Sequence, residues 1–483
     1  MNSPKPLFGD QYAQLPPQLY VKQDATPVAA PSWIKLNAGL AEALQFDTDF
    51  LSGDEGLAIF AGNQTAKGTS PLAMAYSGHQ FGHWNPKLGD GRALLLGDAA
   101  DKSGQRFDVQ LKGSGPTPFS RNGDGRAALG PVLREYVISE AMHALGVPTT
   151  RALAAVQTGE PVRRETALPG AVITRVAKSF VRVGTFQNFA ARDDKEALRA
   201  LVDFSIQRHA PELTDADRPA LEFLKKTVLS QAELIAKWQL LGFIHGVMNT
   251  DNMSVAGETI DYGPCAFMDE YDPATVFSSI DHHGRYAYQN QPRIAQWNLM
   301  VLAQSLLPII DEDEDQALAF AQDAINLFSG HFETQYRRGL LQKIGIAEEQ
   351  NGDFELALSL LDQMKDARAD FTNSFRAISQ LDLAHPEIAA AQLPLTEWIN
   401  NWRRHTDNGK RVDPTLMFNT NPAFIPRNHR VENMIQAALQ DDFSLFEELL
   451  SVLTTPFTDQ PIHHAYTLPP DPDERVHQTF CGT

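Results

Sequence analysis

The chain has 483 residues, 43% of them hydrophobic, with 41 Lys and Arg against 60 Asp and Glu for a formal net charge of −19. Such an apolar fraction excludes a disordered chain, and the length predicts about two to four folding units or one large catalytic domain with additions. The negative charge argues against a surface that binds nucleic acid or anionic membrane at large, and two cysteines, Cys265 and Cys481, exclude a disulfide scaffold and a four-Cys zinc site.

The opening stretch MNSPKPLFGDQYAQLPPQLY puts Pro and Asp where a signal peptide needs an unbroken apolar run. Apolar runs such as Leu306–Ile310 are too short to span a bilayer, so a soluble cytoplasmic protein is expected. Residues 1–70, rich in Pro, Gly and Ala, predict an irregular extension packed on the catalytic body, with one helix near Ala38–Leu44. From 71 to 190 the signals are strand-like, with many glycine and proline breaks. Arg106–Lys112 alternates cleanly, placing Phe107, Val109 and Leu111 on one face and Asp108, Gln110 and Lys112 on the other. Ala128–Leu145 reads as a helix with an apolar stripe through Leu129, Val132, Leu133, Tyr136 and Val137, stopped by Gly146 and Pro148. Short strands are expected at Leu153–Val156 and Ala171–Val176.

From 191 to 290, helices are expected at Lys195–His209 and Leu221–Leu241, the second ending at Gly242. A compact loop, FIHGVMNTDN, follows, then small strands at Met253–Val255 and Glu258–Ile260, then Asp261-Tyr262-Gly263. Residues 291–460 read as mostly helical, with the acidic run Asp311–Asp315 as a solvated surface. Residues 461–483 read as a tail carrying Cys481. The string GDGRA occurs at Gly89–Ala93 and again at Gly123–Ala127, too short a match for a structural repeat. Residues 101–190 hold 12 basic and 7 acidic side chains, a local +5 inside an acidic chain. Aromatic residues are not interleaved with those cations, so the segment predicts a small phosphate ligand and no nucleic acid.

Several chemical motifs fail. Gly409-Lys410 runs into Arg411 where a Walker loop needs Ser or Thr, and no G-x-S-x-G elbow exists. Gly123 to Ala128 imitates a dinucleotide fingerprint without a strand directly before it. His79 and His83 have the spacing of helical zinc ligands, yet flanking Gly78 and Gly82 favour a loop.

An ordered set survives. A glycine-rich stretch (GHQFGHWNPKLGDGR) comes first, then a strand with Lys112 on its polar face and a helix carrying Glu135. Strand-like segments with Arg175 and Arg182 follow, then the loop His245–Asn252 and Asp261-Tyr262-Gly263. This is the order of parts in a protein kinase, and it predicts an α+β, kinase-like bilobal fold: an antiparallel N-lobe sheet plus one helix, over a helical C-lobe. A nucleoside triphosphate needs a lysine held by a carboxylate, and oxygen ligands such as Asn252 and Asp261 for Mg²⁺. One departure stands out. Kinases carry an aspartate five residues before the metal asparagine, and here that position is Val247.

YSGHQFGHWNPKLGDGRALLLGD, QLKGSGPTPFSRNGDGRAALGPVLREY, HGVMNTDNMSVAGETIDYGPCAFMDEYDP and NPAFIPRNHRVE closely resemble the selenoprotein O family, also called the YdiU family, over essentially the whole chain. The resemblance implies a kinase-like fold that binds ATP in a flipped orientation. It implies transfer of AMP to Ser, Thr or Tyr hydroxyls of proteins with release of pyrophosphate, and bacterial relatives are also described as using UTP with Mn²⁺. Carried over by position, it assigns Gly89, Gly91 and Arg92 to the nucleotide-binding loop. Lys112 becomes the ATP-binding lysine and Glu135 its partner, and Asp124 and Gly125 become further nucleotide contacts. Arg175 and Arg182 take the phosphates, Asn252 and Asp261 the metal, and Asp251 the proton acceptor's role.

Local alternatives stay open. Glu140 lies better on the apolar stripe than Glu135, Asp124 could serve turn chemistry alone, and Asp251 could cap a turn or assist the metal. A γ-phosphoryl-transferring kinase and a silent ATP-binding scaffold, suggested by Val247, are the competing functions. A monomer is expected. Cys265 follows Asp261 by four residues, and Cys481 stands where selenium-containing relatives carry selenocysteine. A reversible Cys265–Cys481 disulfide is therefore expected to link activity to redox state.

Overall fold

The strand Arg106–Lys112 forms as its alternation predicts, but it has no solvent face. Val109 and Leu111 enter the core, and Asp108 and Gln110 on the other face are equally buried. The computed structural model, which describes residues 7–381 and 395–480, explains why: the sheet is covered on both sides.

The first strands are β1 (Tyr20–Lys22), β2 (Ser32–Leu36), β3 (Leu72–Met74) and a hairpin of β4 (Gly78–Gln80) and β5 (His83–Asn85). Next come β6 (Ala93–Ala100), β7 (Arg106–Lys112), β8 (Ala127–Ala128), β9 (Arg151–Arg163) and β10 (Ala167–Ala177). The main sheet is antiparallel in the order β1-β3-β6-β7-β10-β9-β2, with β8 paired to β10. The two short strands expected from sequence are thus a long hairpin, β9–β10. Small apolar runs mark only the buried part of a strand, and pairing extends it.

The first 70 residues are integral to this sheet. They supply both edge strands, β1 and β2, and the helix expected near Ala38 forms as Ala38–Ala43. With helices Thr48–Ser52 and Asp54–Phe60 it covers one face, where Leu40, Leu51 and Phe60 pack against Val109, Leu111 and Val172. Against β9 and β10 lies the helix Leu129–Ala144. Its outer side is closed by the helices Asn428–Ala438 and Ser444–Leu453, so the late helical region returns to the sheet.

The remaining helices share a core that also takes in Leu72, Met74 and Leu95 of the sheet and Ile138 and Met142 of the Glu135 helix. Lys195–His209, Pro219–Leu241, Gln291–Ile310 and Glu314–Lys343 pack together, and Trp398 and Trp402 centre a further cluster. Gly242 at φ +69° closes Pro219–Leu241 as expected, because a left-handed residue ends a helix. Within the acidic run, Asp313 caps Glu314–Lys343 by accepting from the amides of Asp315 and Gln316, and Asp311 accepts from Arg218. Those carboxylates start a helix as well as facing water.

Two expectations fail here. Met253–Val255 and Glu258–Ile260 are not strands; they contribute isolated bridges, Arg182 to Ser254 and Thr149 to Thr259. The local pair is instead β11 (Phe243–Ile244) with β12 (Ala266–Phe267), which brackets the loop from both ends. Nor does the tail hang free, since Thr479 pairs with Ser278. Among the described residues no helix is long and apolar enough to cross a membrane.

Candidate active site

Between the sheet and the helical half lies a cavity of about 1170 Å³. Gly89, Gly91, Arg92, Lys112, Asp124, Gly125, Glu135, Arg175, Arg182, Asp251, Asn252 and Asp261 all line it. Cys265 is buried outside the lining, and Cys481 lies outside the described residues.

A buried charge cluster forms the floor. From the end of β7, Lys112 Nζ donates to Glu135 Oε2 at 2.6 Å and to Asp261 Oδ1 at 2.9 Å. Arg175 on β10 reaches Glu135 Oε1 at 3.0 Å and Asp261 Oδ1 at 2.7 Å, and its other terminal nitrogen donates to Gln110. Arg182 holds Asp261 Oδ2 at 2.7 Å and the carbonyl of Asp251 at 2.7 Å, with its guanidinium 4.8 Å from the centre of the Tyr76 ring. Three cations thus meet two carboxylates directly, with the buried carboxyls of Asp90 and Asp251 close enough to act on Arg182. Burial raises the Asp261 carboxyl, but Lys112, Arg182 and Arg175 outweigh it and hold it well below the usual carboxylate range. Burial likewise works against Glu135, whose pKa is nonetheless lowered, chiefly by Lys112 and Arg175. Glu140 turns away: its oxygens accept from Arg151 at 2.8 and 2.7 Å and from the Ala152 amide at 2.9 Å. The choice between the two glutamates falls on Glu135.

The loop after β11 is held by buried polar side chains. His245 Nε2 faces the Ile260 carbonyl at 2.8 Å and its ring stacks on Trp238, while burial lowers its pKa, so the neutral ring ties the loop to Asp261's neighbour. From the other side the β4–β5 hairpin docks on the loop. The His79 amide donates to Thr250 Oγ1 at 2.7 Å, the Phe81 amide to Asn249 Oδ1 at 3.0 Å, and Gln80 Nε2 to Asp251 Oδ2 at 3.2 Å. Asp251 Oδ1 is buried without a hydrogen-bond partner. Burial pushes the Asp251 carboxyl up to about 6, against the opposing pull of Arg182. His79 and His83 sit on this hairpin, and among the described residues no group of three His, Cys, Asp or Glu could hold a metal. An Asn–Asp pair that completes its shell with phosphate oxygens and water is the arrangement the donors do fit. Asn252 donates its amide nitrogen to the Val247 carbonyl at 2.9 Å, and among the described residues its side-chain oxygen accepts no hydrogen bond.

The glycine loops form the opposite wall. At Gly89, φ +122°, a Cβ would lie 2.5 Å from the Phe119 ring. At Gly125, φ +65°, it would lie 2.1 Å from the Gly115 carbonyl. Only glycine lets the two loops approach this closely. Asp124 accepts from Arg164 at 2.8 Å and from the Arg126 amide at 3.0 Å, so it orients an arginine at the cleft mouth and shapes its turn.

Sequence reasoning missed several participants. Gln110 shares the face of Lys112 two residues away, and that period-2 rule could have flagged it. Arg134 donates to the carbonyls of Gly263 and Cys265, tying the Glu135 helix to the segment after Asp261. Gln80 and Tyr76 gave no local signal. Val476, Gln478, Thr479 and Phe480 of the tail only border the cavity, and the hydrogen bonds of Thr479 go to Phe277, Ser279 and Pro264, none to the charge cluster or the Asp251 loop. Cys265 is a poor nucleophile here, because burial pushes its thiol up to about 12.

A family model described as Protein adenylyltransferase SelO matches residues 6–454. A Rhizobium johnstonii protein named Protein nucleotidyltransferase YdiU is 57% identical over 486 residues, 99% of this chain and 97% of that one. Proteins of the same name from Bradyrhizobium diazoefficiens and Rhodopseudomonas palustris are 56% and 55% identical, each aligned over 99% of both chains. The chain belongs to the protein adenylyltransferase SelO family.

Proposed function

We propose that the protein transfers AMP from ATP to Ser, Thr or Tyr hydroxyls of other proteins, in a kinase-like cleft between a sheet-based lobe (71–190) and a helical lobe (191–290). The convergence of Lys112, Arg175 and Arg182 on Asp261, inside a cavity walled by glycine-rich loops, is the observation that carries this reading. One lysine suffices for a kinase; two further buried arginines suit a nucleotide turned so that its β- and γ-phosphates face them and charge accumulates on a departing pyrophosphate.

Phosphate oxygens give the three cations new partners and release the oxygens of Asp261. Asn252 and Asp261 are the residues that would hold a Mg²⁺ or Mn²⁺ ion, which when bound neutralises charge on the phosphates. The acceptor oxygen forms a bond to the α-phosphorus as the α–β bridging bond breaks. Asp251 takes the hydroxyl proton, and pyrophosphate leaves. A carboxyl pushed up to about 6 is ionised at neutral pH yet basic enough to accept that proton. Val247 leaves the usual kinase base position without a carboxylate, which weighs against γ-phosphoryl transfer. Incubation with ATP labelled at the α- or the γ-phosphate, with Mg²⁺ or Mn²⁺ and a protein acceptor, tests the reading. α-Label in protein is expected, and γ-label alone in protein would overturn it.

A further inference from the structure

The last described residues lie across the cleft with very little to hold them. Between Leu468 and Gln478 no side chain is buried, and the Arg475–Glu270 ion pair joins two side chains 41% and 37% exposed. Exposed pairs of this kind contribute little. Thr479 is the anchor. Its amide donates to the Phe277 carbonyl at 2.8 Å, its carbonyl accepts from the Ser279 amide at 3.1 Å, and its hydroxyl donates to the Pro264 carbonyl. One extended residue thus pairs in parallel with Ser278 through backbone groups alone.

The edge it pairs with has the character of a docking site. Ser278 Oγ is buried without a partner, so the tail leaves part of that seam unsatisfied. Beyond it, Ile280 (55% exposed) and Phe480 (68% exposed) both border the active-site cavity. Gln80 and Phe81 of the β4–β5 hairpin, which hold the Asp251 loop, line the same cavity. Main-chain pairing accepts an extended chain of almost any sequence, and pockets for alternate side chains add selectivity.

We propose that the edge Phe277–Ser279 is where the acceptor polypeptide docks as an added strand, and that the chain's own tail occupies this edge until an acceptor displaces it. The inference rests on the protein-acceptor reading above and names where that acceptor binds. A site covered by its own tail most of the time binds an incoming chain more weakly by the fraction left open.

Thr479→Pro, outside the catalytic machinery, removes the amide donor and the hydroxyl together. Dephosphorylated casein serves as the unstructured, hydroxyl-rich probe, with α-labelled ATP. The expected result is an apparent KM for casein about tenfold lower in T479P, with the KM for ATP unchanged. Hydrogen exchange at the Ser279 amide should be faster in T479P and slow again when casein is added. A casein KM that is unchanged or raised in T479P, or a Ser279 amide that casein does not protect, overturns the proposal. If no label is transferred by either protein while casein still protects Ser279, the docking edge stands and the transfer reading falls. As a second variant, Ser279→Pro should lose casein protection of the neighbouring amides while still binding ATP; retained protection would also overturn the proposal.

Discussion

Asp261→Asn keeps the shape of the side chain on which Lys112, Arg175 and Arg182 converge and removes its charge. Lys112 and Arg175 retain Glu135, at 2.6 and 3.0 Å, so the cation that loses its direct ion pair is Arg182, whose side chain is 3% exposed and which keeps only the more distant carboxyls of Asp90 and Asp251. Removing one partner of a buried pair costs about 3–5 kcal/mol, and Asp261, at 18% side-chain exposure, belongs near the lower end, about 3 kcal/mol. Urea denaturation should register that loss. Metal-free ATP should then stabilise the variant more than the wild type, because its phosphates supply the missing negative charge. At a hundredfold excess over Kd, bound ligand contributes about 2.7 kcal/mol, within reach of thermal-shift measurement. Transfer itself should fall to background if Asp261 holds the metal as proposed. A variant as stable as the wild type, or ATP stabilising both proteins equally, would refute the idea that Asp261 neutralises a phosphate site in the absence of phosphate.

Three other substitutions probe buried groups. Burial pushes Glu258 from 4.5 up to about 7, although its carboxylate accepts from the Lys178 amide at 2.8 Å. The folded state therefore binds the proton more tightly than the unfolded one, and stability falls as pH rises from about 5 to 8, by about 3 kcal/mol from this group. Glu258→Gln should remove that slope in urea midpoints measured at pH 5 and pH 8; equal slopes in both proteins would count against it. Burial also lowers Lys343 to about 7, with the Phe375 ring centre 4.2 Å from its ammonium. Its deficit is full below that value and recovers as pH rises towards 10.5, so Lys343→Met should stabilise the protein at pH 6, by roughly 1–3 kcal/mol, and much less at pH 10. Gly125→Ala should cost about 1–3 kcal/mol and weaken ATP binding at least tenfold (about 1.4 kcal/mol), because its Cβ collides with Gly115 at a left-handed φ; calorimetric titration with ATP measures the loss.

Chemistry carried by residue type and period was legible in the sequence. Lys112 was placed by the alternation of its strand, and the ordered set from Gly89 to Asp261 converges on one cavity although it spans 173 residues of chain. What could not be read depended on long-range partners. Glu140 looked the better inward glutamate because its stripe is apolar, yet Arg151 and the Ala152 amide claim it. β11 and β12 were hidden because two-residue strands carry no period, and Met253 and Val255 are buried around a single isolated bridge to Arg182, too short a pairing to make a strand. Both edge strands went unseen within a Pro- and Gly-rich segment, since β1 and β2 take their order from β3 and β9, supplied by later parts of the chain.

That last arrangement sets a schedule for the ribosome. Ser32 of β2 faces Gln157 of β9, a separation of 125 residues. At roughly 5–20 residues per second, β2 waits roughly 6–25 s after its own synthesis for its neighbour to emerge. During that interval the apolar helices between Ala38 and Phe60 have only β6 and β7 to cover, since the buried Leu153, Val156, Val172 and Val176 of β9 and β10 come later. Slowing translation before residue 151 should therefore lengthen the time that the face of these helices left for β9 and β10 stays exposed, and ribosome-bound chains halted there should aggregate more than chains halted after residue 177.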